Sequence, residues 1–314
     1  MRNCPADVKN NLPVFAPGFV EPSHARAIRV PSGPFGLIIN PGVHAGIQIR
    51  RERNAMVIYP MKCGTIIMES AYATPGHNEG MAARCAVGMF LIEHEQALVL
   101  VDTGNHPKVA EDAAAYWGKD VAESIQPKMD RDDAVDRQLQ RLGYKTSDID
   151  IVVLTHMHLD HAGGMSLFPD ATFYIQADEL AAAMWPDPQF SRGHYEIKDF
   201  AQTRDFKIVR LNGDLDLMGD GKIRLIKTGG HSVGHQMVYT RLPEFGPTLL
   251  PGDACFMPEQ LDFLTPPGMP IPDPERGLAM VRQIRDMVEK DDLYIAYSHP
   301  TNKDWIKACS SYMC

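Results

Sequence analysis

Ile151-Val152-Val153-Leu154-Thr155-His156-Met157-His158-Leu159-Asp160-His161-Ala162-Gly163-Gly164 is the stretch on which the fold turns. Four consecutive apolar residues, two of them Val, read as a short strand buried on both faces. The run stops abruptly at three His and one Asp within six residues. His156 and His158 are two apart, so at the end of an extended strand they project to the same side. Asp160 and His161 follow in a turn, where they can face a second ion. Imidazole nitrogen with carboxylate oxygen suits zinc, iron, manganese or cobalt. Any one of these residues alone would read as an ordinary histidine or turn aspartate; together they read as a metal site. Gly163 and Gly164 let the chain fold back before the next element.

Outward from this point the chain reads as strands with interspersed helices. Upstream, Ala55–Tyr59 and Cys63–Glu69 have strand character. Val87–Glu93 and Ala97–Val101, separated by His94-Glu95-Gln96, suit a hairpin that ends in the turn signal Asp102-Thr103-Gly104. Ala134, Val135, Leu139 and Leu142 give residues 131–142 helical spacing, stopped by Gly143. Downstream, Thr172–Gln176, Ile208–Leu211, Ile223–Lys227, Met237–Thr240, Thr248–Leu250 and Leu293–Tyr297 read as strands. Ala177–Met184 and Arg276–Glu289 read as helices, and residues 185–206 as an aromatic loop. Such a pattern means an α/β or α+β domain, and periodicity does not choose between them.

The chain has 314 residues, 44% hydrophobic and 23% charged, enough for a stable core without staples. Residues 1–54, rich in Pro and Gly, read as an N-terminal extension that wraps the domain or serves as a homodimer arm; 55–314 form the main domain. Lys and Arg total 31 against 40 Asp and Glu, a net charge of −9 that argues against a nucleic-acid partner. No window suggests a membrane span, and the opening residues carry no apolar export stretch. The six cysteines, without a C-x-x-C pair, are therefore expected reduced, in a cytoplasmic setting.

His156-x-His158-x-Asp160-His161 resembles the signature of the metallo-β-lactamase superfamily. Further landmarks follow in order: Thr228-Gly229-Gly230-His231, Leu250-Pro251-Gly252-Asp253 and Tyr297-Ser298-His299. The resemblance implies an α+β fold, an αββα sandwich of two mixed β-sheets with helices on both outer faces and the site at one edge. It also implies two divalent metal ions, zinc first, with iron, manganese or cobalt as alternatives. One would sit on His156, His158 and His231, the other on Asp160, His161 and His299, with Asp253 bridging. Asp102 is either a turn aspartate or the group that holds a ligand histidine's ring. His235 either orients a ligand through a ring nitrogen or caps its own loop.

Within the superfamily the chain looks most like the acyl-homoserine lactonase group. Tyr59-Pro60-Met61-Lys62-Cys63-Gly64-Thr65, Gly230–Gln236 and Gly252-Asp253-Ala254 carry that likeness. It implies a hydrolase that opens a cyclic ester by attack of metal-activated hydroxide, with Asp160 or Asp253 relaying a proton to the leaving oxygen. One departure stands out: where that group usually has a Tyr three residues after the bridging aspartate, this chain has Phe256. His194 and Tyr195 are candidate replacements for the lost donor. Met157, Trp185, Phe190 and Phe256 are candidates for an apolar wall against a small-molecule substrate. A glyoxalase II-like thioesterase shares the ligand set and is the rival reading; a non-catalytic binding protein is more distant, because all seven ligand positions are filled.

Overall fold

The computed structural model describes residues 56–188, 194–243, 246–268 and 271–301. The expected extension, residues 1–54, and Phe190 lie outside the described residues.

Two mixed sheets carry the fold. The first is ordered β1 (Val57–Glu69), β2 (Ala82–Glu93), β3 (Leu98–Val101), β4 (Ile151–Val153), β5 (Thr172–Gln176), β6 (Lys207–Leu211). Its pairs are antiparallel from β1 to β3 and parallel from β3 to β6. The second sheet contains β7 (Leu215–Asp216), β8 (Ile223–Lys227), β9 (Gln236–Leu242), β10 (Gly246–Leu250) and β11 (Tyr294–Ile295). It runs in the order β11-β10-β9-β8-β7, antiparallel except for β10 with β11.

Alternation along the strands explains how the layers stack. Phe90, Ile92, Val99, Val101 and Val153 from the first sheet meet Ile223, Leu225, Val238 and Leu250 from the second in one core. Their neighbours in sequence point the other way. Leu91, Leu98, Leu100, Val152 and Phe173 pack outward, and Met237, Leu249 and Ile295 do the same from the second sheet. Helices cover both outer faces. In chain order they are α1 (Val109–Trp117), α2 (Lys119–Ile125), α3 (Val135–Arg141), α4 (Ala177–Met184), α5 (Ile197–Phe200), α6 (Pro258–Phe263) and α7 (Pro274–Asp291). Val135 and Leu139 of α3 and Phe200 of α5 join the first outer core; Met280 and Ile284 of α7 join the second. The αββα sandwich expected from the resemblance is the fold. Each fully buried Val, Leu or Ile contributes roughly 1.5–3 kcal/mol, against about 1 kcal/mol net for a hydrogen bond. A three-residue strand such as β4 is therefore held by packing more than by its ladder.

Several elements differ from the sequence reading. The two strands expected over 55–69 are one strand, β1, whose register with β2 shifts between Lys62 and Thr65. Gly64, at φ 76°, sits in that bulge, where a Cβ would come within 2.7 Å of the Lys128 carbonyl oxygen. Pro60 is tolerated because β1 lies at the edge of its sheet. The helix expected over 131–142 is a single 3-10 turn, Arg131–Asp133, followed by the shorter α3. α1, α2 and α6 were not expected. The Val109–Ile125 segment is rich in Ala and charge, and Asp112 interrupts it with non-helical backbone, which dilutes any helical period. α5 falls inside the expected loop 185–206, and the last strand is only Tyr294–Ile295. No helix among the described residues is long and apolar enough to cross a membrane.

Candidate metal centre

The histidine and aspartate side chains meet at one edge of the sandwich because of where the strands end. β3 delivers Asp102 and β4 delivers His156, His158, Asp160 and His161. The connection from β8 to β9 carries His231 and His235, β10 leads into Asp253, and β11 leads to His299. All are buried except Asp160, whose side chain keeps 13% exposure and marks the open side.

At this edge three groups have ligand atoms within 4.8 Å of one another: His156 with His158 and His231, Asp160 with His161 and His299, and His156 with His161 and Asp253. Asp253 faces both trios with different oxygens. Its Oδ2 lies 3.4 Å from His231 Nε2 and 3.8 Å from His156 Nε2. Its Oδ1 lies 3.3 Å from His161 Nε2 and 3.4 Å from His299 Nε2. Within the trios, His231 Nε2 is 3.1 Å from His158 Nδ1, His161 Nε2 is 3.2 Å from His299 Nε2, and Asp160 Oδ2 is 3.4 Å from His299 Nε2. Ligands at about 2.0–2.1 Å around a tetrahedral zinc would be about 3.3–3.4 Å apart, so the spacing suits a cation in each trio. His156 Nε2 and Asp253 Oδ1 are also buried without a hydrogen-bond partner, as unsatisfied groups awaiting a ligand would be.

The far nitrogens of several rings are held. His161 Nδ1 donates to Asp102 Oδ2 at 2.9 Å, and His299 Nδ1 donates to the Ala86 carbonyl at 2.8 Å. Asp102 also accepts from the Thr155 amide at 2.7 Å and the Thr155 hydroxyl at 2.8 Å. With its proton given to Asp102, Thr155 Oγ1 can accept from His156 Nδ1, 3.0 Å away, leaving Nε2 free to bind a cation. Asp102 does this from a left-handed backbone, φ 59°, which Asp tolerates better than most residues. His235 takes another part. Its Nε2 accepts from the Asp253 amide at 2.9 Å, and its Nδ1 donates to Thr228 Oγ1 at 2.6 Å. It is therefore a neutral ring that fixes the Asp253 backbone, in keeping with burial pushing its pKa well down.

The remaining substrate-side candidates are scattered. Phe256 is buried between the halves, its ring 5.3 Å from His231 and 5.6 Å from His299. His194 and Tyr195 pack on His158, at 5.0 and 4.9 Å. The Tyr195 hydroxyl, however, donates to Glu179 at 3.1 Å, so its proton is already committed. Met157 is wholly buried in the outer core beneath the ligand loop, and Trp185 stands 90% exposed after α4 rather than packing on the cluster. Glu179, which no sequence pattern singled out, touches three of the loops here.

An αββα sandwich with a histidine–aspartate cradle at one edge is the architecture of a class of metal-dependent hydrolases. The chain belongs to the metallo-β-lactamase superfamily, whose family model matches residues 83–299. It is 32% identical over 246 residues to the N-acyl homoserine lactonase AttM of Rhizobium radiobacter, covering 77% of this chain and 92% of that one. It is 27% identical over 253 residues to the N-acyl homoserine lactonase AiiA of Bacillus thuringiensis subsp. kurstaki, covering 80% and 95%. A solved N-acyl homoserine lactone hydrolase, with the product N-hexanoyl-L-homoserine at its catalytic metal centre, matches with a TM-score of 0.70 at 25% identity. That match covers 80% of this chain and 95% of the other.

Proposed function

We propose that this protein is a metal-dependent lactonase that hydrolyses the ring ester of N-acyl-homoserine lactones. The observation that carries the reading is Asp253, whose two oxygens face two separate ligand trios at 3.3–3.8 Å. The likeness to AttM, AiiA and the product-bound hydrolase supports the substrate class. His156, His158 and His231 would hold one cation, Asp160, His161 and His299 the other; zinc is the first candidate, and the nitrogen-and-oxygen donor set also suits iron, manganese or cobalt. Two such cations would supply water acidic enough to act near neutral pH and would polarise an ester carbonyl.

The chain's own residues then have defined tasks. Asp102 and the Ala86 carbonyl fix the rings of His161 and His299, while His235 fixes the backbone of Asp253. Asp160, on the open side, holds the proton lost by the attacking water and returns it to the ring oxygen as the acyl C–O bond breaks. The products balance as one hydroxy acid. The Phe256 ring offers no hydrogen bond and presents an apolar surface to both halves, beside His231 and His299. His194, whose imidazole makes no hydrogen bond among the described residues, is the polar group free to meet substrate beside His158.

The reading is tested on metal-reconstituted protein with a panel of lactones, thioesters, β-lactams and phosphodiesters. Acyl-homoserine lactones should lead in kcat/KM by about 100-fold, a difference of ~2.7 kcal/mol in transition-state stabilisation. A thioester in first place would move the assignment to a thioesterase.

A further inference from the structure

Glu179 lies in the first turn of α4, outside every ligand segment, yet it is only 1% exposed. Among the described residues no Lys or Arg pairs with it. A buried carboxylate without a cation persists only when its lone pairs are filled, and here four donors fill them. Oε1 accepts from the Met157 amide at 2.9 Å and the Tyr195 hydroxyl at 3.1 Å. Oε2 accepts from the Ser232 hydroxyl at 2.6 Å and the Gly234 amide at 3.0 Å.

The donors come from three segments that converge on one half of the centre. Met157 lies between His156 and His158, Ser232 follows His231, and Tyr195 covers the His158 ring. The contact is close: a Cβ on Gly234 would fall 2.3 Å from the Glu179 amide nitrogen. His158 and His231 need this anchorage more than the other ligands do. Among the described residues the side chain of each is hydrogen-bonded only to the other, and His231 Nδ1 is buried without a partner. By contrast, His161 and His299 are held through their own rings by Asp102 and Ala86, neither of which touches Glu179.

We propose that Glu179 is the positioning residue of the three-histidine half. It ties the loops carrying His158 and His231 to one carboxylate and so sets the affinity of that half for its cation. The proposal rests on the two-cation reading above. Chemistry separates the variants. In Glu179→Gln the amide end cannot accept, so whichever way it turns, one backbone donor, Met157 or Gly234, faces another donor. Glu179→Ala leaves both amides unanswered.

The test is stepwise Zn2+ titration of the full chain after chelation, with circular dichroism as a folding control. His231→Ala and His299→Ala identify which binding step belongs to which half. Glu179→Gln should lower the affinity of the step lost in His231→Ala by about 10- to 100-fold, the usual effect of removing a group that supports metal ligands. The other step should stay within about twofold, and Glu179→Ala should exaggerate the split. Should Glu179→Ala fail to fold, Glu179→Gln and Ser232→Ala carry the test, with Ser232→Ala affecting the same step more mildly. Equal weakening of both steps, or no change in folded Glu179→Gln, overturns the role given to Glu179 and leaves the two-cation reading standing. A wild-type chain that takes up fewer than two cations overturns both.

Discussion

The two halves of the centre are buried alike, yet the pKa values of their histidines are pushed in opposite directions. Burial opposes a charge on all five of their histidines. In the His156, His158 and His231 half it prevails, holding His156 and His158 well below the ordinary range and His231 at about 4. In the other half burial is outweighed by carboxylates. Asp253, Asp160 and Asp102 hold His161 well above the ordinary range, and Asp253 and Asp160 raise His299. Depth is shared, so the placement of three aspartates decides in which half the histidine pKa values fall and in which they rise. The ligands also differ in how they are held: ring hydrogen bonds fix His156, His161 and His299, whereas His158 and His231 depend on their loop backbones.

The largest expected effect comes from the residue that belongs to both halves. Asp253→Ala should lower lactone kcat/KM by about 1000-fold or more, ~4 kcal/mol, and weaken both Zn2+ binding steps in titration. If only one step weakened, Asp253 would belong to one half and the bridge would be wrong. Next, Asp102→Asn keeps a residue that tolerates the left-handed backbone but removes a carboxylate oxygen from its three donors. It should cost about 10- to 100-fold in affinity, chiefly at the step lost in His299→Ala. An equal loss in the three-histidine half would mean that the path through Thr155 to His156 matters as much as the direct bond to His161.

The smallest effect is in protons. Cations bind deprotonated ligands. The three-histidine half is already neutral at pH 7, so its affinity should stay flat as pH falls and drop only as pH approaches the value of about 4 held by His231. In the other half the folded-state pKa values are raised, so binding must expel protons and its affinity should already fall as pH drops through neutrality. Calorimetry in buffers of different ionisation enthalpy separates the two. Only the step lost in His299→Ala should change its apparent enthalpy with buffer, and buffer-independent enthalpies for both steps would contradict the division.

Much of this centre was legible in the chain because metal chemistry concentrates rare residue types. His156, His158, Asp160 and His161 sit at the end of an apolar run, and His231, Asp253 and His299 each follow a readable strand. The layers were legible because consecutive apolar residues on β2, β3 and β4 must face two cores. What escaped was whatever depends on contacts distant in sequence. Glu179, with Asp178, looks like an ordinary acidic residue favouring a helix start; only the fold brings Met157, Ser232 and Gly234 to it. Tyr195 read as a candidate donor for substrate because its hydrogen bond to Glu179 cannot be seen in a sequence. Trp185 read as a pocket wall because aromatic composition does not reveal which way a loop faces.

Anomalous diffraction at the zinc edge, on crystals of zinc-reconstituted protein, addresses the central claim most directly. The account predicts two peaks at the sandwich edge. One should be bounded by His156, His158, His231 and Asp253 Oδ2, the other by Asp160, His161, His299 and Asp253 Oδ1. A lone peak, or a pair in which Asp253 contacts only one, would contradict it.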